Sequence, residues 1–392
     1  MRALSERVQT FTDSVIRRMT RISDEYGAIN LSQGFPDYDP PKALMDALAR
    51  IAYEGPHQYS ITFGDKDLRD ALAAKHSRAV GREVDPETEV VVTCGGTEAM
   101  MCAMMTICNP GDKVLVFSPF YENYGADAIL SGAEPIYVPL VPPEYSFDIS
   151  LIEQGFRDGA KAIIICNPSN PCGKVFTREE LSSIAELAIR YDAYVVTDEV
   201  YEYMVYAPSV HTVMASLPGM YERTITCNSL SKTFAVTGWR LGFLIAPPEV
   251  AEAAKKVHDF LTVGAPAPLQ AAAVAGFSLG DEYFEGLREL YTEKRNYFLA
   301  GLDRAGLKHN VPQGSYFVMV DISDFLALPR FAGWSDLEFC EWMIKEIGVA
   351  AVPGSSFFRE PVNNLIRLHF ARSKETMDEA LSRLAKLGAM LG

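Results

Sequence analysis

Seven short runs of apolar, β-rich residues recur along the chain, with helix-forming stretches between them. Several runs are apolar at consecutive positions, which predicts strands that are covered on both faces. Because strand and helix alternate, we predict an α/β fold with a mostly parallel sheet flanked by helices. The predicted strands are residues 89–93, 113–117, 134–140, 161–166, 193–199, 223–229 and 240–246.

The clearest helix is predicted at residues 177–192. Thr177 and Glu180 form a capping-box pair at its start. An apolar stripe follows on one face of the helix. The stripe consists of Leu181, Ile184, Ala185 and Ala188.

The pattern changes after about residue 285. A charged helix is followed by three strand-like runs, which predicts a smaller α+β unit. A chain of 392 residues is long enough for two domains. We expect a large domain over residues 46–284 and a small domain formed by both chain ends, residues 1–45 and 285–392.

The composition is that of a globular protein, with 48% hydrophobic and 22% charged residues. A formal charge of −15 disfavours nucleic acid as a partner, and any site for an anion must be built locally. The first residues lack the apolar core of a secretory signal, so we expect a cytoplasmic protein without membrane contact. Seven cysteines without a CxxC pair favour reduced core thiols over disulfides or a metal site.

Polar residues and glycines collect where the predicted strands end, which is where such sheets bind ligands. The first strand is followed by CGGTEAM, residues 94–100, at the start of an apolar helix. The N–H groups and dipole of a helix start favour an anion. The segment predicts either a phosphate site at Gly96 and Thr97 or a tight turn, and it lacks the GxGxxG pattern of dinucleotide-binding proteins.

Two further strands end in polar groups. NPSNPCG, residues 167–173, contains two Asn-Pro steps, so Asn170 either contacts a ligand or ties a rigid loop together. Asp198 and Glu199 end the next strand, and Tyr201 follows them. A carboxylate there is costly unless a cation or hydrogen-bond donors meet it, although a helix N-cap is the alternative.

Lys232 follows the next strand, among small hydroxyl and apolar residues. Ser229 and Ser231 precede it, and Arg240 opens the strand after it. A partly buried lysine near another cation loses its proton more readily and becomes a nucleophile. Taken alone, an exposed surface lysine is the simpler interpretation.

Taken together, these residues match one ligand, pyridoxal 5′-phosphate. Its phosphate, cationic ring nitrogen, acidic ring hydroxyl and aldehyde each require a different partner. The partners of the phosphate are Gly96, Thr97, Ser229 and Arg240. The partner of the ring nitrogen is Asp198, and the partners of the ring hydroxyl are Asn170 and Tyr201. The partner of the aldehyde is Lys232.

Three motifs, NPSNPCG, DEVYEYMVY and SLSKTFAVTGWRLG, resemble the signatures of class I and II aminotransferases, which are pyridoxal-phosphate enzymes of fold type I. The resemblance extends from INLSQGFPDYDPP to NLIRLHFA and covers nearly the whole chain. It implies a ping-pong transfer of an amino group from an L-amino acid to a 2-oxo acid.

The resemblance also implies roles for single residues. Lys232 is the lysine that condenses with the cofactor and shuttles the proton, and Asp198 is the partner of the ring nitrogen. Asn170 and Tyr201 contact the ring oxygen. Tyr121, in SPFYENY, falls where the family stacks an aromatic ring on the cofactor, with a core tyrosine as the alternative.

Substrate contacts follow in the same way. Arg367 matches the family's arginine for the α-carboxylate, and Arg372 is the competing candidate. Gly34 and Asn170 match further substrate contacts. Tyr59, in HQYSITFG, matches a tyrosine that reaches the phosphate of the neighbouring subunit, which implies a homodimer with shared active sites.

The chain departs from the family pattern in two places. Cys172 stands where a threonine is usual, which changes packing more than chemistry. Thr97 and Glu98 stand where some aspartate-specific relatives carry a lysine, which argues against a dedicated aspartate enzyme. The QGFP and HQYS stretches are closer to the kynurenine and glutamine aminotransferase branch.

Two other functions stay open at this point. A β-eliminating carbon–sulfur lyase that uses pyridoxal phosphate shares this fold and these signatures. A non-catalytic α/β protein that binds a phosphate metabolite through the glycine turn is the alternative from another class.

Overall fold

The computed structural model describes residues 4–5 and 14–391. Residues 1–3, 6–13 and 392 of the predicted small domain lie outside this part. The strands, in chain order, are β1 Ile29–Asn30, β2 Val90–Thr93, β3 Lys113–Ser118, β4 Glu134–Pro139, β5 Ala160–Cys166, β6 Tyr194–Asp198, β7 Thr224–Ser229, β8 Gly242–Ile245, β9 Phe317–Asp321, β10 Val349–Ala350, β11 Val352–Pro353 and β12 Leu365–His369.

The α-helices of the same residues include one that is extended by a π-helical turn, Met343–Ile347. None of the described helices is both long and apolar enough to cross a membrane. In chain order the helices are α1 Val15–Tyr26, α2 Lys42–Glu54, α3 Lys66–Val80, α4 Gly96–Ile107, α5 Asn123–Leu130, α6 Ile149–Arg157, α7 Arg178–Arg190, α8 Leu230–Thr233, α9 Pro248–Thr262, α10 Ala267–Ala273, α11 Gly280–Arg304, α12 Ser323–Leu326, α13 Asp336–Trp342 and α14 Lys374–Gly388.

Within the described residues, seven strands form a large sheet in the order β2-β8-β7-β6-β5-β3-β4. Each of them coincides with one of the seven predicted apolar runs. β8 is antiparallel to both of its neighbours, and the other pairs in the sheet are parallel. Every residue of β2, β7 and β8 is buried, as expected for strands covered on both faces. The predicted α/β fold is confirmed.

The predicted capping box at the start of α7 is present. The Thr177 hydroxyl accepts the Glu180 N–H at 3.1 Å, and the Glu180 carboxylate accepts the Thr177 N–H at 2.9 Å. All four residues of the predicted stripe are buried. They pack in the hydrophobic core on one face of the large sheet.

A second core lies around a smaller antiparallel sheet with the order β11-β12-β9. It combines Met19 and Leu31 from the start of the chain with side chains from α11, α14 and the small sheet. Both chain ends therefore share one core. The domain boundaries stay a prediction, and they fall inside helices α2 and α11.

The order of the large sheet determines where the functional residues meet. β2, β3, β5, β6 and β7 all end at the same edge, because β8 alone runs against them among the described strands of this sheet. The antiparallel β8 begins at that edge, so the residues just before it lie there too. Loops from six strands therefore converge on one region.

Candidate active site

A cavity of about 420 Å³ opens at this edge. It brings together all but one of the predicted site residues, although they are spread over more than 300 positions of the sequence. The predicted residues on its wall are Gly34, Gly96, Thr97, Tyr121, Asn170, Asp198, Tyr201, Ser229, Lys232, Arg240 and Arg367. Ser231 lines the cavity as well.

The turn between β2 and α4 has the geometry of an anion site. Helix α4 begins at Gly96, so the N–H groups of Gly96 and Thr97 lack partners within the helix. Gly95 has a φ of 88°, and a Cβ there would lie 2.4 Å from an Arg240 nitrogen. A Cβ on Gly96 would approach nothing closer than 3.5 Å. The close approach of the Arg240 side chain to the backbone of the turn therefore requires a glycine at position 95 and not at position 96.

Arg240 completes this turn from the side of β8. Its backbone is left-handed, with a φ of 53°, which is uncommon for a residue with a side chain. Its guanidinium donates to the Thr237 carbonyl at 3.0 Å. Within residues 14–391 no carboxylate forms an ion pair with it, so its charge is available to an anion at the turn.

Lys232 lies in the short helix α8, directly after β7. Its ammonium donates to the Gly34 carbonyl at 3.1 Å. The same carbonyl accepts the Tyr316 hydroxyl at 2.8 Å. A Cβ at Gly34 would lie 2.6 Å from the Phe317 ring, so the segment can approach this wall only as glycine. Lys232 is thus half-buried and directed into the cavity.

Asp198 ends β6 with its carboxylate on the cavity wall. It accepts the Tyr124 hydroxyl at 2.7 Å and the Val200 N–H at 3.3 Å. Desolvation raises the pKa of Asp198, although these hydrogen bonds and the charge of Lys232 oppose the increase. No cation within the described residues forms an ion pair with it. The carboxylate is therefore placed to receive a cationic group.

Arg367 is a buried guanidinium, only 1% exposed, between the rings of Phe317 and Phe357. It donates to the Asn170 side-chain oxygen and to the Ser32 carbonyl, each at 2.7 Å. Its Nε has no hydrogen-bond partner, and no carboxylate pairs with it in the part of the chain that the structure describes. Desolvation lowers the pKa of Arg367 to about 10. A buried, unpaired guanidinium at a cavity favours a carboxylate ligand.

Arg372 occupies a different environment. It lies over the Phe35 ring and donates to the Asn30 carbonyl at 2.7 Å. It is absent from the cavity wall. Arg372 thus stabilises the segment that carries Gly34 through its contacts with Asn30 and Phe35, whereas Arg367 lines the cavity.

Tyr59 is the predicted site residue that the cavity does not include. Its side chain is 86% exposed. An exposed position is compatible with a role at a neighbouring subunit. This role stays a prediction.

Two tyrosines, Tyr121 and Tyr201, line the cavity together with Asp198. Burial raises the pKa of Tyr121 to about 12 and raises the pKa of Tyr201 well above its ordinary value. Both hydroxyls therefore stay protonated at neutral pH. Tyr201 packs edge-on against Tyr316, with ring centroids 5.1 Å apart.

Sequence reasoning missed Tyr124 and Asp127, which lie one turn apart on α5. Tyr124 holds Asp198, and its place in SPFYENY, three residues after Tyr121, is a signal that points to it. Asp127 also lines the cavity, one of its buried carboxylate oxygens has no hydrogen-bond partner among the described residues, and burial raises the pKa of Asp127 well above its ordinary value. Asp127 lies near Asp198 only because of the tertiary fold, so no local sequence signal points to it.

The start of α1 also contributes to the cavity, through Ser14, Ile16 and Arg17. The Ser14 hydroxyl donates to Glu122, which follows Tyr121. These residues lie at the mouth of the cavity, and no sequence motif pointed to them. They bring the beginning of the chain to the site.

Comparison with known proteins identifies the family of the chain. The sequence profile of the family described as "Aminotransferase class I and II" matches residues 26–384. The chain belongs to this family. The match covers most of the chain, including every motif on the cavity wall.

Individual aminotransferases are similar over their full length. A probable N-succinyldiaminopimelate aminotransferase of Mycobacterium tuberculosis is 36% identical, over 97% of this chain and 98% of that protein. Kynurenine–oxoglutarate transaminase 1 of Homo sapiens is 34% identical, over 93% of this chain and 94% of that protein. A solved Escherichia coli structure with a methionine aminotransferase function superposes with a TM-score of 0.92, at 30% identity, covering 98% of this chain and 100% of that one.

These findings decide between the functions left open by the sequence. The protein is an aminotransferase, a transferase that acts in amino acid metabolism. The comparisons support transamination and not the carbon–sulfur lyase. They equally disfavour a non-catalytic binding protein, because the relatives are enzymes.

Proposed function

We propose that this aminotransferase binds pyridoxal 5′-phosphate in the cavity and moves an amino group from an L-amino acid to a 2-oxo acid by a ping-pong mechanism. The observation that carries the proposal is the arrangement of uncompensated charges on the wall. Arg240, Lys232 and Arg367 form no ion pair with a described carboxylate, and Asp198 forms none with a described cation.

The residues present fit the cofactor. The free N–H groups of Gly96 and Thr97, with Ser229 and Arg240, would hold its phosphate, because helix starts and guanidinium groups both bind anions. Asp198 would pair with the ring nitrogen. Asn170 and Tyr201 would contact the ring oxygen, Tyr121 would lie against the ring, and Lys232 would bond to the aldehyde.

When bound, the cofactor supplies an aldehyde that condenses with amines and a ring that holds the electron pair of the α-carbon. Arg367 would bind the substrate α-carboxylate, and Asn170 keeps that guanidinium oriented through its hydrogen bond. Lys232 would take and return the α-proton as general base and acid. Asp198, held by Tyr124, keeps a negative charge opposite the ring nitrogen.

We include a substrate class in the proposal. The three named relatives take their names from N-succinyldiaminopimelate, kynurenine and methionine, which are all larger than aspartate, so we expect donors larger than aspartate. The absence of a lysine at Thr97 and Glu98 supports this choice, as does the likeness of the QGFP and HQYS stretches to the kynurenine and glutamine branch. Ile16 and Arg17, at the cavity mouth, are placed to contact such side chains.

The proposal also includes a cytoplasmic homodimer with shared active sites. All seven cysteines are free, as expected in a reducing compartment. The exposed Tyr59 supports a contact with a second subunit. Cell fractionation tests the cytoplasmic location, and light scattering tests the homodimer.

The amino donor can be identified from single turnovers. Cofactor-loaded protein is mixed with one L-amino acid at a time, and loss of the visible absorbance of the bound cofactor is recorded with formation of the matching 2-oxo acid. We expect large aromatic, thioether or amide donors to react and aspartate to react poorly. The proposal is wrong if no L-amino acid yields its 2-oxo acid.

A further inference from the structure

A buried polar cluster lies behind the turn that forms the anion site. It consists of Glu98, His258 and Thr262, and we call it the Glu98 cluster. Glu98 is the third residue of α4, and His258 and Thr262 lie one turn apart on α9. His258 is fully buried, and Glu98 is 8% exposed. No motif of the family resemblance assigns a role to these residues.

Glu98 is held by three donors. One carboxylate oxygen accepts the Thr262 hydroxyl at 2.7 Å and lies 2.8 Å from His258 Nδ1. The other oxygen accepts the backbone N–H of Cys94. Burial would raise the pKa of Glu98, but these hydrogen bonds outweigh it and lower the pKa below its ordinary value. Glu98 is therefore ionised at neutral pH.

His258 connects this carboxylate to a second segment. Its Nε2 lies 3.0 Å from the Thr62 carbonyl, which can only accept a hydrogen bond. Nε2 therefore donates to Thr62, and Nδ1 faces the Glu98 carboxylate. The result is a buried histidine–carboxylate pair in which every polar atom has a hydrogen-bond partner.

The cluster contacts the anion site from behind. The N–H of Cys94, which Glu98 binds, lies one residue before Gly95. On its other side, the Gly95 backbone is packed so closely against β8 that a Cβ on Gly242 would lie 2.2 Å from the Gly95 carbonyl carbon. The turn is thus clamped between Glu98 and β8. The N–H groups of Gly96 and Thr97, which follow, are left for a ligand.

We propose that Glu98 and His258 are positioning residues that hold residues 94–97 in the conformation that binds phosphate. The proposal rests on the proposed function, because it takes the phosphate of the cofactor as the ligand of this turn. His258 also fixes Thr62, three residues after Tyr59. The Glu98–His258 pair therefore links the phosphate turn to the segment predicted to reach the neighbouring subunit.

The test compares two ligands that differ by the phosphate alone. Pyridoxamine 5′-phosphate and pyridoxamine are titrated calorimetrically into cofactor-free protein. Neither has an aldehyde, so bonding to Lys232 does not contribute to the affinity. A loss of general stability would weaken both ligands, whereas a displaced phosphate turn weakens the phosphorylated ligand alone.

Four variants make the comparison specific. Glu98→Ala removes the carboxylate, and His258→Phe removes both ring hydrogen bonds. Glu98→Gln keeps an oxygen that accepts the Cys94 N–H and a polar group opposite His258 Nδ1, so it serves as the conservative rescue. Glu249→Ala is the matched control, because Glu249 is an exposed glutamate in the first turn of α9.

We expect Glu98→Ala to weaken pyridoxamine 5′-phosphate by about 10- to 100-fold, the size that follows from losing a hydrogen bond to a charged group. His258→Phe should weaken it less, while Glu98→Gln and Glu249→Ala should stay near the wild type. Pyridoxamine should bind all five proteins alike. If Glu98→Ala does not fold, His258→Phe and Thr262→Val decide by the same comparison.

The inference is overturned if the folded variants bind pyridoxamine 5′-phosphate as the wild type does, or if they lose both ligands in parallel. Failure of the wild-type protein to bind pyridoxamine 5′-phosphate would instead remove the proposed function, and this inference with it. The two failures are therefore distinguishable within one experiment.

Discussion

At the scale of single residues, the two arginines near the end of the chain give the sharpest contrast. Arg367 lines the cavity, whereas Arg372 donates to the Asn30 carbonyl away from the cavity wall. We expect Arg367→Lys to raise KM for the amino donor by about 10- to 100-fold, because a lysine cannot make the two-pronged contact with a carboxylate. Steady-state kinetics with the best donor measures this change.

Arg372→Lys is the matched comparison for that experiment. A lysine can still donate one hydrogen bond to the Asn30 carbonyl, so we expect a smaller rise in KM. Equal effects of the two substitutions would contradict the assignment of Arg367 to the substrate carboxylate. The sequence motif alone left both arginines as candidates, and the position of Arg367 on the cavity wall separates them.

Asp198 carries a prediction about pH. Its pKa is raised above the ordinary 3.8, mainly by desolvation, when no cofactor is bound. Below pH 3.8 the carboxyl is protonated in the folded and unfolded states alike and costs nothing. As pH rises from 3.8 through the raised pKa, the unfolded chain gives up this proton more readily than the folded protein does. The free energy of unfolding therefore falls over this range.

Asp198→Asn should therefore stabilise cofactor-free protein at pH 7 relative to the wild type, and the gain should shrink toward pH 4. With the cofactor bound the order should reverse, because the amide cannot pair with a cationic ring nitrogen. Thermal unfolding with and without cofactor, between pH 4 and pH 8, measures both effects. A wild type that is more stable than Asp198→Asn in the cofactor-free state at pH 7 would contradict this interpretation.

At the scale of elements, the turn from β2 to α4 depends on one of its two glycines. We expect Gly95→Ala to cost roughly 1–3 kcal/mol of unfolding free energy, because it forces a left-handed backbone and a contact with Arg240. It should also weaken cofactor binding. Gly96→Ala has room for its methyl group and should change stability by less than about 0.5 kcal/mol.

Chemical denaturation of the two variants, together with titration of pyridoxamine 5′-phosphate, makes this comparison. A Gly96→Ala variant as damaged as Gly95→Ala would show that the turn differs from the geometry described. The pair GG in the sequence indicates a turn but cannot show which glycine needs its freedom. That distinction comes from the packing of Arg240 and Gly242 on the backbone.

The elements themselves were largely predictable. All seven strands of the large sheet appear as apolar runs, and the α7 capping box is visible in Thr177 and Glu180. The order of the strands and the reversed direction of β8 are set by tertiary packing, which a local pattern does not contain. The positions of Ile16 and Arg17 at the cavity mouth could not be predicted for the same reason.

At the scale of the whole molecule, the shared active site makes a prediction about mixed subunits. If Tyr59 acts in the neighbouring subunit, Lys232→Ala and Tyr59→Ala chains should each form impaired dimers. Dimers that contain one chain of each kind would hold one site with both native residues. Refolding the two variants together should then restore roughly a quarter of the wild-type activity.

The control for complementation is each variant refolded with itself at the same total concentration. Activity that stays at the level of these controls would place Tyr59 outside the partner's site, provided light scattering shows mixed dimers. The Glu98 cluster belongs to the same scale, since His258 joins the Tyr59 segment to the phosphate turn.

The most direct measurement is the chemical identity of the residue that carries the cofactor. The cofactor-loaded protein is reduced with borohydride and digested, and the peptides are mapped by mass spectrometry. We predict a pyridoxyl label on Lys232, in the peptide that contains SLSKTFAVTGWR. A label on another lysine, or none on protein saturated with pyridoxal 5′-phosphate, would contradict the site proposed for this aminotransferase.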